Sequence, residues 1–214
     1  KENERQLKRQ NQRLEEFASI VSHDLRNPLN VALGHLEIIE MEVEHDSIDR
    51  VANALDRMQT LINETLELAK QGQTVTETRP IQLSDVVEGC WEMVDQADAT
   101  FERTGDVRFR GDPSRVKQLF ENLFRNAVNH GGSEVTVTVG KIADGFYVAD
   151  DGAGIPDEER DDIFEAGYST ADDGTGFGLA IVKEIVVAHG WETRVTDSET
   201  GGARFEITGV ETTD

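Results

Sequence analysis

The chain has 214 residues, of which 37% are hydrophobic and 30% are charged, so one large domain or two small domains can form around a sizeable core. Its 43 acidic residues against 21 basic residues give a formal net charge of −22, which excludes generic binding to nucleic acids or to anionic membrane surfaces. The lone Cys90 excludes an intrachain disulfide and a cysteine zinc cluster, and no apolar run reaches the roughly 18 residues of a membrane-spanning helix.

The first seventy residues predict two helices. Apolar residues recur at helical spacing from Leu7 to Val43, which indicates one long amphipathic helix. Residues 45–47 predict a turn and an N-cap, and a second apolar stripe then runs from Ile48 to Ala69. Because the two stripes cannot bury both of their flanks against each other alone, pairing of two copies into a dimeric four-helix bundle is favoured over a monomeric hairpin.

The pattern changes after a polar segment at 71–79, which predicts a short linker. Two helices have clear caps: Ser84 is predicted to cap a helix that runs to about Gln96, and Asp112-Pro113 opens another that runs to about Asn129. A third helix is predicted from about Phe177 to His189 and is ended by Gly190. Strands are predicted near 99–103, 107–110, 135–139, 145–149, 191–196 and 203–208.

These elements predict an α+β fold. The N-terminal antiparallel helical hairpin is followed by an α/β sandwich, in which helices cover one face of a mostly antiparallel sheet. The chain begins at Lys1 rather than at methionine and shows no signal peptide, so we interpret the sequence as a fragment of a longer protein.

A histidine beside a proline is the first candidate site, in the segment 22–28. Val21 and Leu25 lie on the apolar seam, so His23 is expected to face solvent with an unperturbed pKa near 6.5 and to be available as a nucleophile. Asn27 shares its helical face, and Pro28 is expected to bend the helix there. Most exposed histidines are ordinary surface residues, but a proline inside a long helix favours a functional interpretation.

The second candidate site lies on the helix that begins after Asp112. Asn122, Asn126 and His130 recur every four residues and therefore share one helical face. Asparagine is disfavoured inside helices, so this face suggests oxygen ligands for a hard cation together with a phosphate contact. An ordinary solvated polar face explains the spacing equally well.

Two glycine-rich motifs complete the candidates. Asp150 ends a predicted strand before Gly152 and Gly154, so its carboxylate can accept a hydrogen bond from an exocyclic amine, although a plain glycine turn fits too. The segment 174–179 opens a helix, whose free N–H groups favour phosphate. It lacks the Walker A lysine, the catalytic segment of eukaryotic protein kinases and the preceding strand of a dinucleotide fold.

In this order the four motifs, together with Ile163-Phe164-Glu165, resemble the catalytic core of sensor histidine kinases over essentially the whole chain. The resemblance implies a stalk and dimerisation/histidine-phosphotransfer domain at 1–72, a linker at 73–79 and a GHKL-type (Bergerat) ATP-binding catalytic domain at 80–214. It also implies two-component signalling: ATP-dependent autophosphorylation and transfer of the phosphoryl group to an aspartate of a response regulator.

The resemblance assigns a role to each motif residue. His23 would attack the γ-phosphate of ATP, Asp24 would accept its proton, and Asn27 would orient water for dephosphorylation of the partner. Asn126 would ligate Mg²⁺, Asn122 would support the metal or the phosphates, and His130 would approach the phosphates. Asp150 would hold the adenine amine in a pocket shaped by Gly152 and Gly154. The remaining nucleotide-binding residues would frame a mobile lid: Gly174, Thr175, Gly176, Gly178 and Leu179.

The partners implied are a second copy of the chain, the receiver domain of a response regulator and an upstream sensor domain absent from this sequence, in the cytoplasm. Two departures from the family pattern concern ATP affinity: Asn129 stands where a lysine or arginine is frequent, and the lid segment after Glu165 is short. The alternatives are another ATPase with the same nucleotide fold, a catalytically inactive signalling scaffold and a chain that acts mainly as a phosphatase.

The composition also looks like that of haloarchaeal kinases. Six of the 21 basic residues are lysines, and the rest are arginines, beside a large excess of carboxylates. Such a surface suits a salt-rich cytoplasm, because screening there removes the self-repulsion of the carboxylates. The alternative is an ordinary acidic protein.

Overall fold

The computed structural model describes residues 25, 29–36, 39, 46–69, 75, 77–94, 98–132, 134–169 and 175–213. The chain divides into two compact units, Lys1–Gly72 and Gln73–Asp214. Within the described ranges, no helix combines the length and the apolar character needed to cross a membrane.

The described part of the first unit is helical. Residues 29–36 are helical, and helix α1 spans Asp46–Ala69, beginning inside the segment predicted as turn and cap. Leu29 is buried, whereas Val31, Val51 and Met58 are about half exposed or more. The single chain therefore leaves apolar side chains of this unit in contact with solvent.

The second unit alternates strands and helices, as the sequence predicts. Its described helices are α2 (Leu83–Trp91), α3 (Pro113–Gly131) and α4 (Gly178–His189), with short 3-10 turns at Asp157–Glu159 and Asp162–Phe164. Its strands are β1 (Arg79–Gln82), β2 (Thr100–Arg103), β3 (Arg108–Gly111), β4 (Thr136–Ile142), β5 (Gly145–Asp150), β6 (Glu192–Asp197), β7 (Ala203–Thr208) and β8 (Thr212–Thr213).

The strands form a main sheet and a small one. The main sheet has the order β2-β4-β5-β7-β6, and all of its neighbours are antiparallel except β2 and β4. The small sheet has the order β1-β3-β8 and is antiparallel. The prediction of an α+β unit with a mostly antiparallel sheet is confirmed.

Helix α3 packs on the main sheet through aromatic rings. The Phe120 ring lies 5.2 Å from the Phe146 ring on β5, and both side chains are fully buried. The opposite face of the sheet is polar: Arg204 and Glu206 form an ion pair there, and the Arg204 guanidinium lies 3.7 Å from the Tyr147 ring centroid. The main sheet therefore has one face buried by helices and one polar face.

Helix caps show where local sequence signals hold. Asp112 caps α3 by accepting from the N–H groups of Ser114 and Arg115, and Gly190 ends α4 with a φ of 74°, as predicted. The prediction that Ser84 caps α2 is wrong. That helix begins at Leu83, and the Ser84 N–H donates to the Asp106 carboxylate at 3.1 Å, a partner supplied from 22 residues away. It also ends at Trp91 rather than near Gln96.

The predicted linker segment has contacts with the second unit. The Val75 N–H donates to the Ala188 carbonyl at the end of α4, at 3.1 Å. The Arg110 guanidinium on β3 donates to the Thr78 carbonyl at 2.8 Å. These described residues are therefore held on the second unit rather than free in solvent.

Candidate functional site

A buried carboxylate marks the end of β5. Asp150 is 7% exposed, and its Oδ1 accepts hydrogen bonds from the N–H groups of Gly152 at 2.9 Å and Ala203 at 3.2 Å. Burial raises the pKa of Asp150, while the two hydrogen bonds and the His130 charge act in the opposite direction. These donors favour the charged form of a group with little access to water.

Glycines allow the backbone to close around this carboxylate. A Cβ on Gly202 would lie 2.3 Å from the Asp150 carbonyl oxygen, and a Cβ on Gly152 would lie 2.5 Å from the Gly131 Cα. A side chain at either position would force apart the backbone segments that enclose Asp150, which we call the Asp150 recess. Gly131 and Gly202 are not among the candidate residues that the sequence patterns identify.

Asn122 lies on the buried side of α3, next to the start of α4. It is 4% exposed, its amide nitrogen donates to the Gln118 carbonyl at 2.9 Å, and its Oδ1 accepts from Arg125 at 2.6 Å. A Cβ on Gly178 would lie 3.3 Å from that Oδ1. The structure therefore brings the second and fourth candidate motifs together, and it adds Arg125, which the sequence pattern did not single out.

Asn126 and His130 follow on α3. Asn126 is half-buried, and His130 is exposed in the last turn of the helix, where its electrostatic effect opposes the rise in the pKa of Asp150. Asp151, the neighbour of Asp150, points elsewhere: its carboxylate accepts from the Thr136 N–H at 2.7 Å. Asp150 thus lies in the recess, whereas Asp151 is hydrogen-bonded to the first residue of β4.

The second glycine motif folds onto a loop that precedes it. Gly176 has a φ of 74°, and a Cβ there would lie 2.5 Å from the Gly167 carbonyl carbon. The Gly167 N–H donates to the Gly176 carbonyl at 3.0 Å. The Phe177 N–H donates to the Thr175 hydroxyl at 3.5 Å. Gly167 is a further residue that the sequence did not identify.

Helix α4 begins at Gly178 without a side-chain cap, and Leu179 is half-buried in its first turn. Uncapped N–H groups and the positive end of the helix dipole favour an anion at this position. The nearby segment 162–165 is anchored by Ile163, which is buried, and by Phe164, whose ring meets the Phe205 ring edge-on at 6.5 Å.

Four predicted site residues lie outside the described residues: His23, Asp24, Asn27 and Gly174. Within the described part of the chain, no group of three or more histidine, cysteine, aspartate and glutamate side chains is placed to hold a metal ion.

Two sequence families match the chain. Residues 13–74 match the His Kinase A (phospho-acceptor) domain. Residues 111–211 match the Histidine kinase-, DNA gyrase B-, and HSP90-like ATPase. The second match contains the Asp150 recess and both glycine motifs.

Curated relatives are sensor and sporulation kinases. Sensor histidine kinase ZraS of Salmonella typhimurium is 30% identical over 210 residues, which cover 89% of this chain and 44% of that protein. Sporulation kinase C of Bacillus subtilis is 28% identical, with 96% and 51% covered. The chain thus spans about half the length of the curated relatives it matches. These relatives are bacterial and do not support the haloarchaeal resemblance.

Solved structures agree with these matches. Mycobacterial sensor histidine kinase MprB is 30% identical with a TM-score of 0.56, over 64% of this chain and 97% of that one. Full-length ShkA in complex with AMPPNP is 27% identical with a TM-score of 0.71, over 92% of this chain and 46% of that one. The chain therefore belongs to the sensor histidine kinase family, with a phospho-acceptor domain followed by an ATP-binding domain.

Proposed function

We propose that this chain is a kinase core that phosphorylates itself on His23 with ATP and passes the phosphoryl group to an aspartate of a response regulator. The observation that carries the proposal is the glycine-lined recess in which Asp150 is buried and accepts two backbone hydrogen bonds through Oδ1. A carboxylate there selects a neutral hydrogen-bond donor that can also pack against backbone, and an aminopurine meets both requirements.

The recess supports one orientation of the nucleotide. The adenine amine would donate to Asp150, with Gly152 and Gly154 shaping the base pocket. The phosphates would extend toward the uncapped N-terminus of α4 and its preceding loop. The residues we assign to this part are Gly174, Thr175, Gly176, Gly178 and Leu179.

Asparagine oxygens fit a magnesium ion at the phosphates. Asn126 is half-buried on the same helical face, whereas the Asn122 amide is engaged by Gln118 and Arg125. We therefore assign the metal to Asn126 and a supporting role to Asn122, with His130 near the phosphates. When bound, Mg²⁺ would neutralise phosphate charge, which matters in a protein of net charge −22.

The transfer step needs few protein groups. A ring nitrogen of His23 attacks the γ-phosphorus, the new N–P bond forms as the bond to the β-phosphate oxygen breaks, and ADP leaves. Asp24 takes the proton from the other ring nitrogen. In the opposing phosphatase reaction, Asn27 orients a water that dephosphorylates the response regulator.

We assign the first unit to dimerisation. Exposed Val31, Val51 and Met58 would be buried if two copies paired into a four-helix bundle. We also assign the receiver domain of a response regulator and an upstream sensor domain as partners, in the cytoplasm.

The charge supports a further proposal, namely that the chain works in concentrated salt. With 43 acidic and 21 basic residues, screening by salt should reduce the self-repulsion of the carboxylates more than it weakens attractive pairs. We expect the melting temperature to rise between 0.1 and about 2 M KCl. A melting temperature that falls as KCl is added would contradict this proposal.

The kinase proposal is tested with γ-labelled ATP, Mg²⁺ and KCl on the wild-type chain, on His23→Gln and on His35→Gln as the matched control. His35 is an exposed histidine of the same unit. We expect acid-labile, alkali-stable label in the wild type and in His35→Gln, and none in His23→Gln.

Each other outcome points to a different function. Label that persists in His23→Gln would refute the acceptor assignment. ATP hydrolysis without covalent label would favour another ATPase with this nucleotide fold. A wild-type chain that binds no ATP would favour a catalytically inactive scaffold.

A further inference from the structure

Arg160 is the only basic residue in the acidic segment 157–162, and it is directed inward. Its side chain is 21% exposed. Its Nε donates to the Ile155 carbonyl at 3.1 Å, and its two terminal nitrogens form ion pairs with Asp157, at 2.8 Å, and with Asp197. A planar guanidinium can satisfy three acceptors at fixed angles, which a lysine ammonium cannot reproduce.

Two of the three partners of Arg160 adjoin segments that surround Asp150. Ile155 directly follows Gly154, which has a φ of 74° and whose Cβ would lie 3.2 Å from the Gly201 carbonyl oxygen. Asp197 ends β6, just before the turn that leads to Ala203. Arg160 therefore joins the first glycine loop to the turn that supplies a hydrogen bond to Asp150.

A second contact extends this connection toward α4. The Tyr168 hydroxyl donates to the Glu159 carboxylate at 2.8 Å, one residue before Arg160. Tyr168 follows Gly167, which is hydrogen-bonded to Gly176 in the second glycine motif. The segment around Arg160 thus contacts both loops that we assign to the nucleotide.

We propose that Arg160 is a positioning residue of the nucleotide site, which holds the base-side loop in its binding geometry without touching the nucleotide. This inference rests on the proposed function. Exposed ion pairs alone contribute little, so the effect is expected from the buried end of the side chain, where the Ile155 carbonyl would lose its charged donor. Loss of this contact should weaken the binding of ATP and ADP equally and leave the rate of the transfer step unchanged.

The test compares Arg160→Ala and Arg160→Lys with Arg103→Ala in the full chain. Arg103 is a matched control, because it is 33% exposed and pairs with Glu88 and Asp106 away from the glycine loops. We expect the Kd for both ATP and ADP to rise about tenfold in Arg160→Ala, the loss of one charge-assisted hydrogen bond. Arg160→Lys should not restore binding, and Arg103→Ala should match the wild type.

Kinetics separate positioning from general damage. The KM for ATP should rise about tenfold in Arg160→Ala, while the labelling rate at saturating ATP stays within about twofold. Unchanged nucleotide affinity, an equal loss in Arg103→Ala or a fall in the saturated rate alone would overturn the inference.

A milder variant covers the case in which Arg160→Ala does not fold. Arg160→Met keeps the aliphatic stem and removes the charged donor to the Ile155 carbonyl, and we expect the same rise of about tenfold in the Kd for ATP and ADP. Wild-type affinity in that variant would then overturn the inference. If the wild-type chain itself bound no ATP, the proposed function would fail first, and Arg160 would have no nucleotide loop to position.

Discussion

His189 joins the end of α4 to the start of α3 through both ring nitrogens. Its Nε2 accepts from the Asp112 N–H at 3.0 Å, and its Nδ1–H donates to the Ile185 carbonyl at 2.7 Å. The ring also stacks on Trp191 at 4.2 Å. A protonated histidine at a helix C-terminus would suit the helix dipole, but an acceptor at Nε2 requires the neutral ring. Burial accordingly lowers the pKa of His189.

Replacing His189 with phenylalanine keeps the stacked ring and removes the acceptor. The Asp112 N–H is then unsatisfied in a half-buried place, which costs about 1–3 kcal/mol of unfolding free energy. For a unit of this size, that corresponds to a fall of roughly 3–10 °C in melting temperature. Because Asp112 also caps α3, the start of that helix should loosen first.

The pH dependence of the same variant has a definite sign. An unfolded chain protonates this histidine below about pH 6.5, whereas the folded chain does so only at a lower pH. The unfolded state therefore binds more protons in this window, and the stability that His189 contributes falls as the pH drops below about 6.5. His189→Phe should lack this component, so its stability should depend less on pH between about 7 and 5.

Tryptophan fluorescence measures this unit alone, since Trp91 and Trp191 both lie in Gln73–Asp214. Melting curves of the wild type and His189→Phe at several pH values, with His130→Phe as an exposed-histidine control, give the difference directly. Equal melting temperatures at pH 7.5, or parallel pH dependences in the two proteins, would refute the assignment of a neutral, hydrogen-bonded His189.

Three further predictions concern the Asp150 recess and the core. Asp150→Asn keeps an acceptor for the backbone N–H groups but loses the charge, so ATP affinity should fall about 10- to 100-fold by calorimetry, whereas Asp151→Asn should bind normally. Gly202→Ala should abolish ATP binding and lower the melting temperature, because its Cβ would clash with Asp150, while Gly89→Ala, with open space in α2, should be neutral or stabilising; equal effects would contradict this packing. Burial raises the pKa of Cys90 to about 11, so it should resist thiol reagents at pH 8 until the unit unfolds, and rapid labelling of the folded chain would contradict its burial.

Elements whose signals are local could be predicted from the sequence. The Asp112-Pro113 start of α3, the Gly190 end of α4 and the alternation of β7 are encoded within a few neighbouring residues. The start of α2 could not be predicted in this way. The acceptor of the Ser84 N–H is Asp106, which approaches Ser84 only after β3 has paired with β1.

The residues of the candidate site divide in the same way into local and distant ones. Asp150 and Asn122 lie in motifs that are continuous in sequence. Gly202 reaches Asp150, Gly167 reaches Gly176 and Arg160 reaches Asp197 from segments that only the folded sheet and loops bring together. Nothing in the acidic run around Arg160 distinguishes an inward guanidinium from a solvated one, since the distinction depends on Asp197 at the end of another strand.

Local violations of ordinary folding rules are concentrated at one end of the second unit. A carboxylate is buried at Asp150, an asparagine is buried inside a helix at Asn122, and α4 begins without a side-chain cap. Each of these is unfavourable for stability alone. A bound amine at Asp150 and a bound anion at the start of α4 would offset two of these costs together, which supports the proposed nucleotide site independently of the family resemblance.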